Sequence, residues 1–330
     1  MYQNLLPEQK EAFAKAQKEF DETSKKYQGE LDAAKKKYLE EAAKYKYFDN
    51  DVLLKSPPVK RAAFSDRTAW VMASMSQLAY EAFEASDTSL GLFVSKLDSG
   101  GFTLVDKFSV GATQAFLAYN DKYAVLAFRG TSDWKDVQTD ITANRKRTEG
   151  GKIHSGFYQA YDLISKQIKE KLNLPEVKDL PLYITGHSLG GALATVATQN
   201  LEKSGSKDQI AACYTFGSPR VGNADFDKNI RSPVYRVINF TDIVTFLPLL
   251  TMGFVHVGDN RYLDRGFPEL VLRWRPLSQR FFLLLHLLMF LYPAIKQHGI
   301  QNYIDKLERI ALGQNVDIMM TIAMKENEKV

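Results

Sequence analysis

The sequence Tyr183-Ile184-Thr185-Gly186-His187-Ser188-Leu189-Gly190-Gly191-Ala192-Leu193-Ala194 carries the strongest local signal in the chain. An apolar run from Pro181 to Thr185 predicts a buried strand, and the Ala- and Leu-rich residues after the glycines predict a helix reaching about Lys203. Between them the turn is too tight for anything but small residues. Ser188 stands at its apex, with Gly186 and Gly190 two residues away on either side, the G-x-S-x-G spacing of a nucleophile elbow. A serine on such a turn holds strained backbone angles, so its neighbours must lack side chains where strand and helix approach. The hydroxyl then projects from the turn, and the first helical N–H groups face any negative charge that develops beside it.

The flanking sequence repeats this alternation. Tyr123-Ala124-Val125-Leu126-Ala127-Phe128 is a continuous apolar run of the kind buried on both faces of a parallel sheet, and it ends in Arg129-Gly130-Thr131-Ser132. Ala211 to Phe216 ends in Gly217-Ser218-Pro219-Arg220, and Val234 to Phe240 ends in Thr241-Asp242. Asp66 to Phe83 reads as a helix, with Trp70, Met72, Met75, Leu78 and Ala79 on its apolar side. Strands are expected at Gly91–Lys96, Phe102–Lys107 and Gln114–Ala118. Strand, helix and strand in succession predict an α/β protein with a mostly parallel sheet covered on both faces.

With 330 residues the chain can bury a full core, and its 45% apolar and 25% charged content are ordinary for a globular protein. A formal charge of +4 is too small to suggest a nucleic-acid partner. The single cysteine, Cys213, excludes a disulfide framework within the chain. No Cys/His spacing suggests a metal, and no cofactor is expected. The Lys-rich N-terminus has no apolar h-region, so a cytoplasmic or peripheral-membrane location is expected, with export by a route lacking a cleaved signal as the alternative.

Three segments stand apart. Residues 1–56 form a charged extension in which Leu6, Phe13, Phe20, Tyr27 and Ala34 recur every seven positions; a helix is expected, packed on the main body or offering residues 1–50 for self-association or a protein partner. Ser56-Pro57-Pro58 separates it from a main domain of residues 57–330. In Asp133–Lys152, Trp134, Val137 and Ile141 give a narrow stripe on a short helix, followed by Arg145-Lys146-Arg147 and a flexible Gly150-Gly151 pair; a flap and a plain surface helix are the two readings. Finally, Phe281 to Ile295, within an apolar insertion at 270–296, spans roughly 22 Å as a helix, short of the ~30 Å hydrocarbon core. It reads as a core helix or as one that dips into a lipid surface.

A serine nucleophile needs a base to take its proton and an acid to orient that base, and on such a sheet the order is Ser, Asp or Glu, His. Three histidines follow Ser188. His286 lies inside the apolar run, and His256 alternates with Val255 and Val257 in an expected strand, Gly253–Gly258. His298 sits where a loop gives way to a helix, and is the expected base. Asp242, ending an apolar strand, is the expected acid; Asp225, Asp227, Asp259 and Asp264 lie in polar stretches. The backbone N–H groups of Thr131 and Leu189 are the expected oxyanion donors.

These residues resemble the class 3 lipases of the α/β-hydrolase fold. The likeness rests on Gly186-His187-Ser188-Leu189-Gly190-Gly191, Phe128-Arg129-Gly130-Thr131, His154-Ser155-Gly156-Phe157, Phe216-Gly217-Ser218-Pro219-Arg220-Val221-Gly222, Asp242, and His298 five residues before Tyr303. It implies a Ser188, Asp242, His298 triad, no metal requirement, and cleavage of carboxylic esters of lipids such as acylglycerols at a membrane or lipid surface. A phospholipase A1, delivered as an exported effector, is the alternative among enzymes; a lipid-binding module without activity, or a scaffold acting through the N-terminal helix, is the alternative outside them. The segment Ser132–Thr148, where the family's lid typically follows, is short and polar here. The N-terminal extension and the 270–296 insertion also depart from the family pattern.

Overall fold

A computed structural model of the chain describes residues 62–83, 87–131, 145–148, 151–205, 209–239, 242–248, 250–263 and 298–312. The expectations for the extension 1–56, for the Trp134, Val137, Ile141 stripe and for the 270–296 insertion, with His286 and Asp264, lie outside these residues. Among them the order is α1 (Asp66–Glu81), α2 (Asp87–Ser99), β1 (Thr103–Val110), β2 (Thr113–Tyr119), β3 (Ala124–Phe128), β4 (Arg145–Thr148), β5 (Gly151–His154), α3 (Ser155–Leu172), β6 (Leu182–His187), α4 (Leu189–Lys203), β7 (Ile210–Phe216), α5 (Ala224–Lys228), β8 (Val234–Ile238), β9 (Asp259–Tyr262) and α6 (300–312).

Seven strands make the main sheet in the order β1-β2-β3-β6-β7-β8-β9. The first three are antiparallel to one another, and every joint from β3 onward is parallel. Burial explains their composition. Every residue of β3, β6, β7 and β8 is buried, so these strands carry apolar residues without alternation, whereas the edge strand β1 mixes exposed and half-buried positions.

Helices cover both faces. On one, Phe157, Tyr161, Ile164, Ile168 and Leu172 form the stripe of α3, and pack with α4 against Leu126, Ile184 and Cys213. On the other lies α1, started by Ser65, whose hydroxyl accepts from the Thr68 N–H at 3.4 Å. Thr185, on β6, is buried against this helix but satisfied: its hydroxyl lies 2.9 Å from Ser76 Oγ and bonds the carbonyls of Met72 and Tyr214 at 3.1 and 3.0 Å. Past β9, the Leu263 N–H is tied to the Ile238 carbonyl at 3.0 Å, which fixes the chain to the sheet just before the 264–297 stretch.

Three local expectations need correction. Gly91–Lys96 is not a strand but the middle of α2, where Phe93 and Leu97, four apart, are both fully buried; six residues were too few to expose the helical period. Gly253–Gly258 contributes only an isolated bridge between Val255 and Gly222, and the edge strand comes next, at Asp259–Tyr262. Arg145-Lys146-Arg147 begins β4, paired with β5 in a two-stranded sheet. Its partner Gly151 is not a flexible hinge: at φ +114° it packs so closely on α5 that a Cβ would overlap the Phe226 N–H and lie 2.8 Å from Asn223 Oδ1.

The described residues include no helix long and apolar enough to cross a membrane.

Candidate active site

The junction between β6 and α4 is built by what its residues lack. Ser188 sits there at φ +57°, ψ −128°, the only non-glycine residue with positive φ among the described ones. Around it a Cβ on Gly186 would overlap the Gly190 backbone, a Cβ on Gly190 would overlap the Phe128 carbonyl, and one on Gly191 would come within 2.8 Å of Ser218 Cβ. Strand, turn and helix therefore approach more closely than side chains permit. The turn is pinned by the Ser188 N–H to the Phe216 carbonyl at 2.9 Å, and by the Gly191 N–H to the Ser188 carbonyl at 3.0 Å. Ser188 Oγ is buried and has no hydrogen-bond partner among the described residues. A hydroxyl held in strain and left unsatisfied is the geometry of a reacting group rather than of a helix cap.

Asp242 and His298, 56 residues apart in sequence, are brought together: His298 Nδ1 lies 2.8 Å from Asp242 Oδ2. The Asp242 side chain is fully buried and that of His298 nearly so. Asp242 uses its two oxygens differently. Oδ1 accepts the Val244 N–H at 2.9 Å and so caps the 3₁₀ turn Ile243–Phe246, while Oδ2 takes the His298 bond and a second one, at 2.6 Å, from the Tyr303 hydroxyl. The Tyr303 proton stays in place to donate, because burial and then the adjacent Asp242 carboxylate push the phenol well above its ordinary range. With Nδ1 bonded to a carboxylate, the imidazole keeps its acceptor at Nε2, which is buried and unpartnered among the described residues. The dyad is seated against Gly217, at the end of β7, at φ +57°; a Cβ there would come within 2.6 Å of Asp242 Oδ2 and 3.1 Å of His298 Nδ1.

Thr131 follows β3 and is half-buried. Its predecessor Gly130 runs against the elbow, close enough that a Cβ would sit 2.5 Å from the His187 carbonyl oxygen. Leu189, half-buried, opens α4. Gly186, His187, Ser188, Leu189 and Gly190 thus gather at one strand end with Thr131's segment beside them.

Several residues were not singled out by sequence reasoning. Two arginines, each 2% exposed, brace the loops around the dyad through backbone carbonyls. Arg236 bonds Ser218, Pro219 and Thr245 at 2.5, 3.1 and 2.9 Å, and Arg220 bonds Phe246 and, at 2.8 Å, Pro248. Burial pulls Arg236 down to about 9 and Arg220 to about 10. His256 joins this cluster, its Nε2 lying 3.4 Å from an Arg220 nitrogen, and is held neutral by burial and by both guanidiniums. Tyr80 and His187 form a further pair. The sequence signals were slight: Arg220 stands just past the end of β7, and Arg236 is a charged residue in the middle of an apolar strand; for Tyr80 there was none.

Known proteins resemble this chain. The family described as Lipase (class 3) matches residues 125–252, the span from β3 through the elbow to just past Asp242. A lipase of Rhizomucor miehei is 33% identical over 172 residues, covering 48% of this chain and 47% of its own. A secreted mono- and diacylglycerol lipase A of Penicillium cyclopium is 30% identical over 227 residues, covering 64% of this chain and 73% of its own. The crystal structure of a mono- and diacylglycerol lipase from Aspergillus oryzae superposes with a TM-score of 0.53 at 26% identity, covering 62% of this chain and 82% of that one. The chain spans about half the length of the curated relatives it matches, such as the Rhizomucor protein. The α/β-hydrolase sheet, the glycine-flanked serine and the length of the Penicillium match agree, and the chain belongs to the class 3 lipase family.

Proposed function

We propose that this protein is a serine esterase that hydrolyses carboxylic esters of lipids, acylglycerols first among them. One observation carries the reading: a Ser188 on a strained elbow, its hydroxyl unpartnered among the described residues, in a sheet that also holds a His298–Asp242 pair at 2.8 Å. Ser188 Oγ attacks the ester carbonyl while His298 Nε2 takes its proton. Asp242 holds the imidazole and stabilises the cation that forms. The N–H groups of Thr131 and Leu189 receive the oxyanion, a contribution whose loss typically costs about 10²–10³ in rate. Collapse of the tetrahedral species returns the proton to the departing alcohol and leaves Ser188 acylated. Water, deprotonated by the same His298, then releases the fatty acid and restores the serine.

Acylglycerols are favoured because the Penicillium relative that matches over 227 residues and the Aspergillus structure are both named as mono- and diacylglycerol lipases. Action at a lipid surface is part of the proposal, supported by the apolar Phe281–Ile295 run and the arginines that precede it in sequence. The test is Ser188→Ala, assayed on p-nitrophenyl butyrate and on monoacylglycerol, triacylglycerol and phosphatidylcholine dispersions. Loss of all ester hydrolysis with an unchanged melting transition is expected. Activity near wild type in the variant would refute the serine mechanism, and release of fatty acid from phosphatidylcholine alone would refute the acylglycerol preference.

A further inference from the structure

His187 precedes the nucleophile and is fully enclosed, yet both of its ring nitrogens are engaged by groups far away in sequence. Nε2 lies 2.6 Å from the backbone carbonyl oxygen of His298, and Nδ1 lies 2.8 Å from the hydroxyl of Tyr80, on α1. A carbonyl can only accept, so Nε2 carries the proton; Nδ1 then accepts, and the Tyr80 hydroxyl donates to it. Burial keeps the ring neutral, as one donor with one acceptor requires. The ring also lies beside the imidazole of His298, with centroids 4.5 Å apart and planes inclined by 33°. At the other end, the Tyr80 hydroxyl occupies the space a Gly130 side chain would need, one residue before Thr131.

We propose that Tyr80 and His187 form a positioning clamp that sets the base and the oxyanion segment from the nucleophile's own strand. The proposal rests on the serine-esterase reading above. Asp242 grips the His298 ring at Nδ1, but a ring held at one atom still pivots. Fixing the backbone carbonyl of the same residue removes that freedom and aims Nε2. Because His187 is bonded covalently to Ser188, any shift of the elbow carries the clamp with it, so base and nucleophile keep their separation. Neither clamp residue exchanges a proton with substrate. Their effect is expected in kcat, since a misplacement of about 1 Å costs about 10²-fold in rate, and KM should scarcely move.

Side-chain length separates this role from mere packing. In His187→Gln the amide nitrogen reaches the place of Nε2 and can still donate to the His298 carbonyl. In His187→Asn the side chain reaches only the place of Nδ1, so the bond to Tyr80 survives and that to His298 does not. The two variants, with Tyr80→Phe and Ser188→Ala, are made in the full chain and assayed on p-nitrophenyl butyrate for kcat, KM and thermal midpoint. Expected are a kcat loss of about 10²-fold for His187→Asn and recovery to within about tenfold of wild type for His187→Gln. Tyr80→Phe, which keeps the ring, is expected to lose about five- to tenfold in kcat with KM within about twofold. Equal kcat in the Gln and Asn variants, or losses confined to KM, would overturn the clamp. If neither His187 variant folds, Tyr80→Phe decides: wild-type kcat overturns the proposal and a fall in kcat alone supports it. Persistent activity in Ser188→Ala would instead remove the esterase reading beneath it.

Discussion

Replacing Gly217 by alanine tests whether the dyad is held as tightly as the structure requires. The added methyl would stand 2.6 Å from Asp242 Oδ2, where ordinary contact begins at 3.4 Å, and 3.1 Å from both Cε1 and Nδ1 of His298. Carboxylate, imidazole or strand end must therefore retreat by about 0.8 Å, enough to cost about 10²-fold in kcat when a catalytic pair is displaced. The strand end cannot give freely, since the Gly217 N–H is bonded to the Val237 carbonyl on β8. A second cost is conformational: at φ +57° alanine loses about 1–2 kcal/mol relative to glycine. Gly111 separates the two. It has nearly the same backbone angle, φ +59°, in the β1–β2 turn, and a methyl added there would meet nothing within 4 Å. Gly111→Ala should thus lose about 1–2 kcal/mol in urea unfolding with kcat intact, while Gly217→Ala should lose about 2–4 kcal/mol and about 10²-fold in kcat on p-nitrophenyl butyrate. A Gly217→Ala protein within twofold of wild-type kcat would show that the dyad tolerates displacement, and the reasoning from close contact would be wrong.

Tyr303→Phe removes the 2.6 Å donor to Asp242 and the hydroxyl that accepts the Asn239 N–H at 3.2 Å. No cavity forms, so the expected destabilisation of about 2–4 kcal/mol is all hydrogen bonding; urea unfolding with a loss below about 0.5 kcal/mol would contradict it. Stability should also decline in acid through His187 and His256, both held well below the ordinary 6.5 by burial, with the Arg236 and Arg220 charges adding to the effect on His256. The unfolded chain binds protons at these sites as pH falls through 6.5 and the folded chain does not, so their contribution is full above that value and drains below it. Unfolding free energies compared at pH 7.5 and pH 5 should therefore converge in His256→Gln, and an unchanged difference would show that His256 titrates alike in both states.

The elbow was legible because its requirements are local: two glycines two residues from a serine, between a buried strand and an alanine-rich helix, state the geometry within a dozen residues. The central strands were legible because burial on both faces writes itself as uninterrupted apolar residues. Asp242 and His298 could be picked by chain order and by their place at element ends, and the structure puts them in contact. Asp242 also caps a turn, and its two oxygens divide the two tasks. What stayed hidden depends on partners distant in sequence. Tyr303 looks like any core aromatic until its hydroxyl is seen on a carboxylate 61 residues back, and Tyr80 meets His187 across 107 residues. Periodicity failed where segments were short, as in α2, and around His256, where three alternating residues imitated a strand.

The chain between Leu263 and His298 leaves the sheet from a bonded backbone at Ile238 and returns at a histidine gripped on both ring and carbonyl. The contacts named at each border are made among the described residues. Doubling the length of a segment whose ends are already set raises its closure cost by only about 0.6 kcal/mol. A change of length in this stretch is accordingly expected to leave the Asp242–His298 contact in place. It offers a protein engineer a grafting point whose two borders are already fixed.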